Sequence, residues 1–240
     1  MEAAAYRLPA ADPDFVLGDS TRGIRFQLEY QKAEENLRNW GVESTIVVFG
    51  SARVQEKDGS GWYEAAREFA RICSEEGGAK HHARPLQNVI ATGGGPGIME
   101  AANRGAHDAG APSIGYNITL PLEQEPNAYS TPDLTFRFHY FAMRKMHFAM
   151  RAAALVVFPG GFGTMDELFE LLTLRQTGKM TKPLPVVLYD EKFWRSTISF
   201  DNFVKAKLVS ANDLKLFTFA STPAEAWHEL KRCGLPIPKD

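Results

Sequence analysis

The stretch ALVVFPGGFGTMDELFE (residues 154–170) joins an apolar run to a glycine-rich turn and then to an acidic segment. A continuous apolar run of this kind is typical of a strand buried on both faces of a sheet. The glycines allow backbone N–H groups to approach an anion, and a following helix adds the positive end of its dipole. The stretch therefore predicts a strand, a phosphate-binding turn and a helix, in that order.

The same arrangement occurs at two earlier places, STIVVFGS (44–51) and NVIATGGGPG (88–97). Further short apolar runs, PSIGYNITL, LTFRFHY and LPVVLYD, alternate with segments of helical periodicity. This alternation predicts an α/β fold with a doubly wound, Rossmann-like and mostly parallel sheet that has helices on both faces. Because ligands of such sheets bind at the carboxyl ends of the strands, we expect the three glycine-bearing turns to share one edge.

Composition limits the domain organisation and the classes of partner. The chain has 240 residues, 44% of them hydrophobic, and a net charge of −2, which argues against nucleic acid as a partner. We expect residues 1–25 to form a loose N-terminal arm and residues 26–240 to form a single Rossmann-like domain. No apolar run is long enough to span a bilayer, and no signal pattern opens the chain, so a cytoplasmic location without membrane contact is predicted. The two cysteines, Cys73 and Cys233, lack metal-ligand spacing, so no metal is expected.

The glycine turns narrow the type of ligand. A single glycine turn is explained equally well as a tight connection between a strand and a helix. Two such turns together with Gly50-Ser51 on one edge favour a phosphate-bearing ligand. A Walker A loop needs a lysine before the final Ser or Thr, whereas Thr164 follows Gly163 directly. The loop GGGPGIME does not satisfy the dinucleotide pattern G-x-G-x-x-G. The glycine pattern thus disfavours an ATPase and a dinucleotide enzyme and favours a mononucleotide as the ligand.

Two charged residues allow both a structural and a chemical interpretation. Thr164 and Glu167 have the spacing of a capping box, in which the glutamate would only return to the helix start. Alternatively, Glu167 lies within one helical turn of the phosphate and faces the attached sugar. Arg144 lies in the apolar segment FAMRKMHFAMRAA, where a cation is usually paired. It is either a structural or subunit-contact ion or an active-site cation.

These motifs resemble a known family. PGGFGTMDE matches the P-G-G-x-G-T-x-x-E signature of the LOG ("Lonely guy") family, the cytokinin riboside 5′-monophosphate phosphoribohydrolases, which have also been labelled lysine decarboxylases. GGGPGIMEAA (93–102) resembles the first glycine loop of that family, and Met143-Arg144-Lys145 resembles its Arg-Lys helix. The resemblance is ordered along the chain, spans about residues 46–189, and fits the longer bacterial branch of the family.

The resemblance implies hydrolysis of the N-glycosidic bond of AMP or an N6-modified, for example prenylated, AMP, giving free base and ribose 5-phosphate without a cofactor. It implies that Arg144 and Glu167 are catalytic. It also implies a homodimer or larger assembly with the site near the subunit interface. The substrate-binding positions that it implies are Gly50, Ser51, Gly94, Gly95, Met143, Lys145, Gly160, Gly161, Gly163 and Thr164.

Two other functions compete with this one. The first is a nucleotide or molybdenum-cofactor carrier that binds its ligand without turnover. The second is an amino-acid decarboxylase, which would need a lysine to hold pyridoxal phosphate. The presence of both Glu167 and Arg144 favours the hydrolase over the carrier.

Overall fold

The computed structural model describes residues 3–80, 85–120 and 125–238 and shows one parallel sheet of seven strands within them. Every neighbouring pair of strands runs in parallel, which confirms the predicted α/β class. The order across the sheet is β4-β3-β2-β1-β5-β6-β7. The strands are β1 (Thr45–Phe49), β2 (Val89–Thr92), β3 (Ser113–Ile118), β4 (Thr135–Phe138), β5 (Ala152–Val157), β6 (Val186–Tyr189) and β7 (Thr218–Ala220).

Helices connect the strands and cover the sheet. The periodicity of residues 194–209 predicts one mostly helical stretch, but the structure has two short helices, because the extended backbone at Ile198 separates them; the first begins earlier, at Glu191. The described α-helices are α1 (Pro13–Val16), α2 (Arg22–Asn39), α3 (Trp62–Glu76), α4 (Ile98–Asp108), α5 (Phe141–Arg151), α6 (Phe162–Gln176), α7 (Glu191–Thr197), α8 (Phe200–Lys205) and α9 (Pro223–Arg232).

The central strand β1 shows why these strands are apolar throughout. All five of its residues are buried. Ile46 and Val48 pack into one hydrophobic cluster, with helices α3, α4 and α9, while Val47 and Phe49 pack into another on the opposite face. A strand covered on both faces by helices leaves no position for a polar side chain directed to solvent. The continuous apolar run, rather than an alternating one, is the result.

The order of the strands reverses at β1, and this determines where a ligand can bind. Strands β2 and β5 flank β1, so the chain winds away from it in both directions. The backbone N–H of Ser51, after β1, donates to the carbonyl of Pro159, after β5, at 3.0 Å. The two turns are thus held side by side at the switch point, which is the usual ligand crevice of an open α/β sheet.

The N-terminal region differs from the predicted boundary. Helix α2 begins at Arg22, so the expected division after residue 25 falls inside it. This helix is attached to the domain, because Glu29 accepts hydrogen bonds from the backbone N–H groups of His139 and Tyr140 at 2.9 and 3.2 Å. Residues 4–21 form short helical segments, and Leu8 and Leu17 there are exposed.

The polar segments GGAKHHARPLQ (77–87) and PLEQEPNAYSTPD (121–133) predict loops, and residues 81–84 and 121–124 of them lie outside the described structure. Among the described residues, no helix combines the length and the apolar character that crossing a bilayer requires.

Candidate active site

An open cleft of about 1050 Å³ lies at the switch point of the sheet. Its floor is formed by the turn after β1 (50–53) and by the turn and first residues of α6 (160–165). Arg144 from α5 and Glu167 from α6 also line it. The connection between α7 and α8 (197–199), together with Asn202 and Phe203, forms the opposite wall. The cleft therefore brings together residues that lie up to 153 positions apart in the sequence, from Gly50 to Phe203.

The start of helix α6 excludes the capping-box interpretation of Glu167. The helix begins at Phe162 with Gly161 as its N-cap, and no side chain caps it. Thr164 is therefore already the third residue of the helix, and Glu167 lies too far along to cap it. The turn Gly160-Gly161 lets the helix begin earlier than the Thr-x-x-Glu pattern suggested. Glu167 is thus available for another role.

The glycine turn places backbone donors at the floor of the cleft. The N–H groups at the first positions of α6, from Phe162 to Thr164, have no intrahelical acceptor. No heavy atom lies within 4 Å of the point where a Cβ atom on Gly161 or Gly163 would stand. At Gly160 the same atom would lie only 2.6 Å from Cβ of Thr164. Gly160 is therefore required for packing, whereas Gly161 and Gly163 keep the space above the helix start open.

This difference predicts opposite stability effects for two matched substitutions. Gly160→Ala is expected to lower the free energy of unfolding by about 1–3 kcal/mol, because the added methyl group overlaps the buried Thr164. Gly163→Ala is expected to maintain it or raise it by up to ~1 kcal/mol, because alanine favours a helix and meets no atom there. Urea denaturation of both variants measures the effect. Equal stability of the two would contradict the packing role of Gly160.

Arg144 and Glu167 converge in the cleft. Nη1 of Arg144 lies 3.5 Å from Oε1 of Glu167, and both side chains are mostly buried. Burial raises the pKa of Glu167 to about 7, while the positive charge of Arg144 opposes this rise. Burial also lowers the pKa of Arg144, and the charge of Glu167 acts in the opposite direction. The glutamate is therefore able to exchange a proton close to neutral pH.

The guanidinium of Arg144 is held on several sides. Its Nε donates to the backbone carbonyl of Tyr116 at 2.7 Å, and its Cζ lies 5.4 Å from the ring centre of Phe148. A Cβ atom on Gly93 would overlap the guanidinium, so the glycine loop after β2 leaves room for this arginine. The glycine loop after β2 thus helps to position the guanidinium of Arg144.

The other predicted binding residues divide into two groups. Gly50 and Ser51 line the cleft, and Gly50 also allows close packing of Ile98 at the start of α4. Gly94 and Gly95 are buried and do not line it. The N–H of Gly94 donates to Oγ1 of Thr92, and its carbonyl accepts from Asn117, so both groups are used inside the protein.

The two neighbours of Arg144 also lie away from the cleft. Met143 is half-buried and packs against the hydrophobic cluster on its face of the sheet. Nζ of Lys145 lies 2.7 Å from Asp166 and 3.1 Å from Glu170, on the outer side of α6. Because α5 is a helix, consecutive residues point in different directions, and only Arg144 of the three reaches the cleft.

Sequence reasoning missed several residues that line the cleft. Arg53 lies two residues after Ser51, in the turn that follows β1. Phe162, 97% exposed, and Phe203 contribute aromatic surface, and Met99 comes from α4. The position of Arg53 at a strand end was a signal that could have identified it. The α7–α8 wall carried no comparable local signal.

The residues of the cleft do not fit pyridoxal phosphate. No lysine lines the cleft within the described part of the chain, and Lys145 faces two carboxylates outside it. A Schiff base to that cofactor requires a lysine at the site. Likewise, across residues 3–80, 85–120 and 125–238, no group of three or more His, Cys, Asp or Glu side chains is arranged to hold a metal ion.

A family model and individual proteins of known sequence both match this chain. Residues 99–230, more than half of the chain, match the family model described as "Possible lysine decarboxylase". The chain is 28% identical over 151 residues to cytokinin riboside 5′-monophosphate phosphoribohydrolase LOG4 of Arabidopsis thaliana, covering 61% of this chain and 68% of that protein. It is 27% identical over 147 residues to LOG3 of the same plant, covering 60% and 66%. The match thus spans about two thirds of each relative.

Solved structures show the same fold. The molybdenum cofactor binding protein from the phototrophic bacterium Rippkaea orientalis superposes with a TM-score of 0.54 at 20% identity, covering 79% of this chain and 96% of that one. At this identity the likeness concerns the fold.

Proposed function

The chain belongs to the family described as possible lysine decarboxylase, the LOG family, and from this premise we propose that it hydrolyses a nucleoside 5′-monophosphate to free base and ribose 5-phosphate. The substrate we propose is AMP or an AMP that carries an N6 substituent. The observation that carries the proposal is the 3.5 Å approach of Arg144 to Glu167 above the glycine turn of α6.

The arrangement fits the chemistry of glycosidic bond cleavage. When the bond between C1′ and the base nitrogen breaks, positive charge develops on the ribose ring. In its ionised form, the Glu167 carboxylate stabilises this charge and accepts a proton from the attacking water, whose oxygen bonds to C1′. The bonding electrons leave with the base, and a donor such as Arg144 stabilises the negative charge that develops there. The phosphate, held at the start of α6, positions the sugar.

The site disfavours the decarboxylation that the family description mentions, because the described residues place no lysine in the cleft. A carrier would bind the nucleotide as the hydrolase does, but it would not cleave the glycosidic bond. We therefore propose to incubate the protein with AMP, N6-isopentenyl-AMP, GMP and CMP and to separate the products by chromatography. Release of adenine or its N6-substituted form together with ribose 5-phosphate supports the hydrolase. Tight binding with no released base would favour a carrier.

The proposal includes a homodimer or larger assembly, as implied by the resemblance to the LOG family. Light scattering coupled to size-exclusion chromatography measures the mass in solution. A monomer with full hydrolase activity would contradict the proposed assembly but not the proposed reaction.

The raised pKa of Glu167 predicts an acid limb in the rate profile. The carboxylate must be ionised to act, and its pKa is about 7, so kcat/KM is expected to fall about tenfold per pH unit below this value. An ordinary glutamate would retain its full rate down to about pH 5. The same shift affects stability: the raised folded-state pKa favours the folded form at low pH, and this contribution is lost as the pH rises through 7. A flat rate between pH 5 and 8 would contradict the assignment.

A further inference from the structure

Among the described residues that line the cleft, one cation has no carboxylate partner. Of the described residues that form the cleft, only Arg53, Arg144 and Glu167 are ionisable. Arg144 and ionised Glu167 face each other at 3.5 Å, and their charges largely cancel. Arg53 is exposed, and none of the described carboxylates forms an ion pair with it. The described lining of the cleft therefore carries one uncompensated positive charge, that of the Arg53 side chain.

The backbone of Arg53 is held by a hydrogen bond and by the burial of its neighbour, although its side chain makes no ion pair with the described residues. The N–H of Arg53 donates to Oγ of Ser51 at 3.1 Å, and the next residue, Val54, is buried in the hydrophobic core. Ser51 in turn bonds through its N–H to Pro159 and through its carbonyl to the N–H of Ile98 at 3.1 Å. These bonds tie the turn after β1 to the turn before α6 and to the start of α4. The arginine is thus anchored beside the glycine turn.

The ligand that matches this arrangement is a phosphomonoester. Its charge at neutral pH is close to −2, and a helix start with unpaired N–H groups compensates only part of it. A guanidinium binds phosphate oxygens through two parallel N–H donors, with charge-assisted hydrogen bonds. A nucleoside without the phosphate offers no anionic group for this cation to bind. Arg144 is not available for the task, because its Nε is bonded to Tyr116 and it faces Glu167.

We propose that Arg53 binds the 5′-phosphate and makes the site selective for nucleoside monophosphates over nucleosides. This inference rests on the proposed function and adds the residue that decides the substrate class. Because Arg53 touches the phosphate rather than the glycosidic bond, its loss affects binding more than the chemical step. Arg53→Lys keeps the charge but loses the two-pronged geometry, so its effect is intermediate.

Binding of ribose 5-phosphate and of ribose, measured by calorimetry, tests the inference without requiring turnover. Arg53→Ala is expected to weaken ribose 5-phosphate binding about 10- to 100-fold while leaving any ribose binding unchanged. Arg22→Ala, which removes an exposed arginine outside the cleft, controls for net charge and is expected to bind as the wild type does. The melting temperature of each variant verifies its folding.

The outcomes separate this inference from the proposed function. Wild-type affinity of Arg53→Ala for ribose 5-phosphate would overturn the role of Arg53, even if base release continues. Failure of the wild-type protein to bind ribose 5-phosphate would overturn it as well. Conversely, binding that depends on Arg53 in a protein that releases no base from any monophosphate would support the phosphate site and reject the hydrolase. With active protein, KM for AMP is expected to rise about 10- to 100-fold in Arg53→Ala, with a smaller change in kcat.

Discussion

Glu167→Gln is expected to lower kcat for base release by about 10²–10⁴-fold while the protein stays folded and binds ribose 5-phosphate within a few-fold of the wild-type affinity. The amide has nearly the same shape as the carboxylic acid, so the packing at this buried position is maintained. It has no negative charge to stabilise the developing cation and does not accept the proton of the attacking water. The rate of adenine release and a calorimetric titration measure the two effects.

Glu170→Gln provides the matched control for this variant. Glu170 lies one helical turn further along α6 and pairs with Lys145 outside the cleft. Its replacement is expected to leave the rate at pH 8 within about twofold of wild type, because the charge of Glu170 is the smallest of the effects that shift the pKa of Glu167 and the ion pair lies outside the cleft. If Glu167→Gln retains more than a tenth of the wild-type rate, Glu167 is not the catalytic carboxylate.

Arg144→Ala is expected to lower kcat by about 10²–10³-fold through two effects. The leaving base loses a donor, and Glu167 loses the positive charge that opposes the rise of its pKa. The acid limb of the rate profile should therefore move to higher pH, so the variant recovers part of its rate between pH 7 and 9. A rate profile recorded across this range distinguishes the electrostatic effect from a general loss of structure.

Arg144→Lys separates charge from geometry. Lysine maintains the positive charge near Glu167 but lacks the Nε that donates to the carbonyl of Tyr116. We expect it to hold the acid limb near pH 7 while kcat stays well below that of the wild type. If Arg144→Ala dissociates an oligomer and shows no change in the rate profile, the subunit-contact interpretation of this arginine replaces the catalytic one.

The order of the elements could be predicted from sequence because its signals are local. The apolar run of β1, the glycines that end β2 and β5, and the helical periodicity of α4 and α6 each lie within a few consecutive residues. The order of the motifs also identified the family to which the chain belongs, as the match over residues 99–230 shows. Signals of this kind do not depend on how distant segments pack.

Only the tertiary structure decided which residues share the cleft. A sequence pattern gave Thr164 and Glu167 the spacing of a helix cap, yet Gly160 and Gly161 let α6 begin earlier and leave Glu167 free. The packing of β1, β2 and β5 turns Gly94 inward and brings Arg53 into the cleft.

The sequence by itself determined the order of strands and helices, the glycine turns and the family, because backbone preference and hydrophobic periodicity act between near neighbours. The tertiary structure alone decided the approach of Arg144 to Glu167 and the burial that raises the pKa of that glutamate. Both depend on contacts between residues far apart in the chain, and the solvent exclusion that sets a carboxylate's pKa exists only once those contacts form.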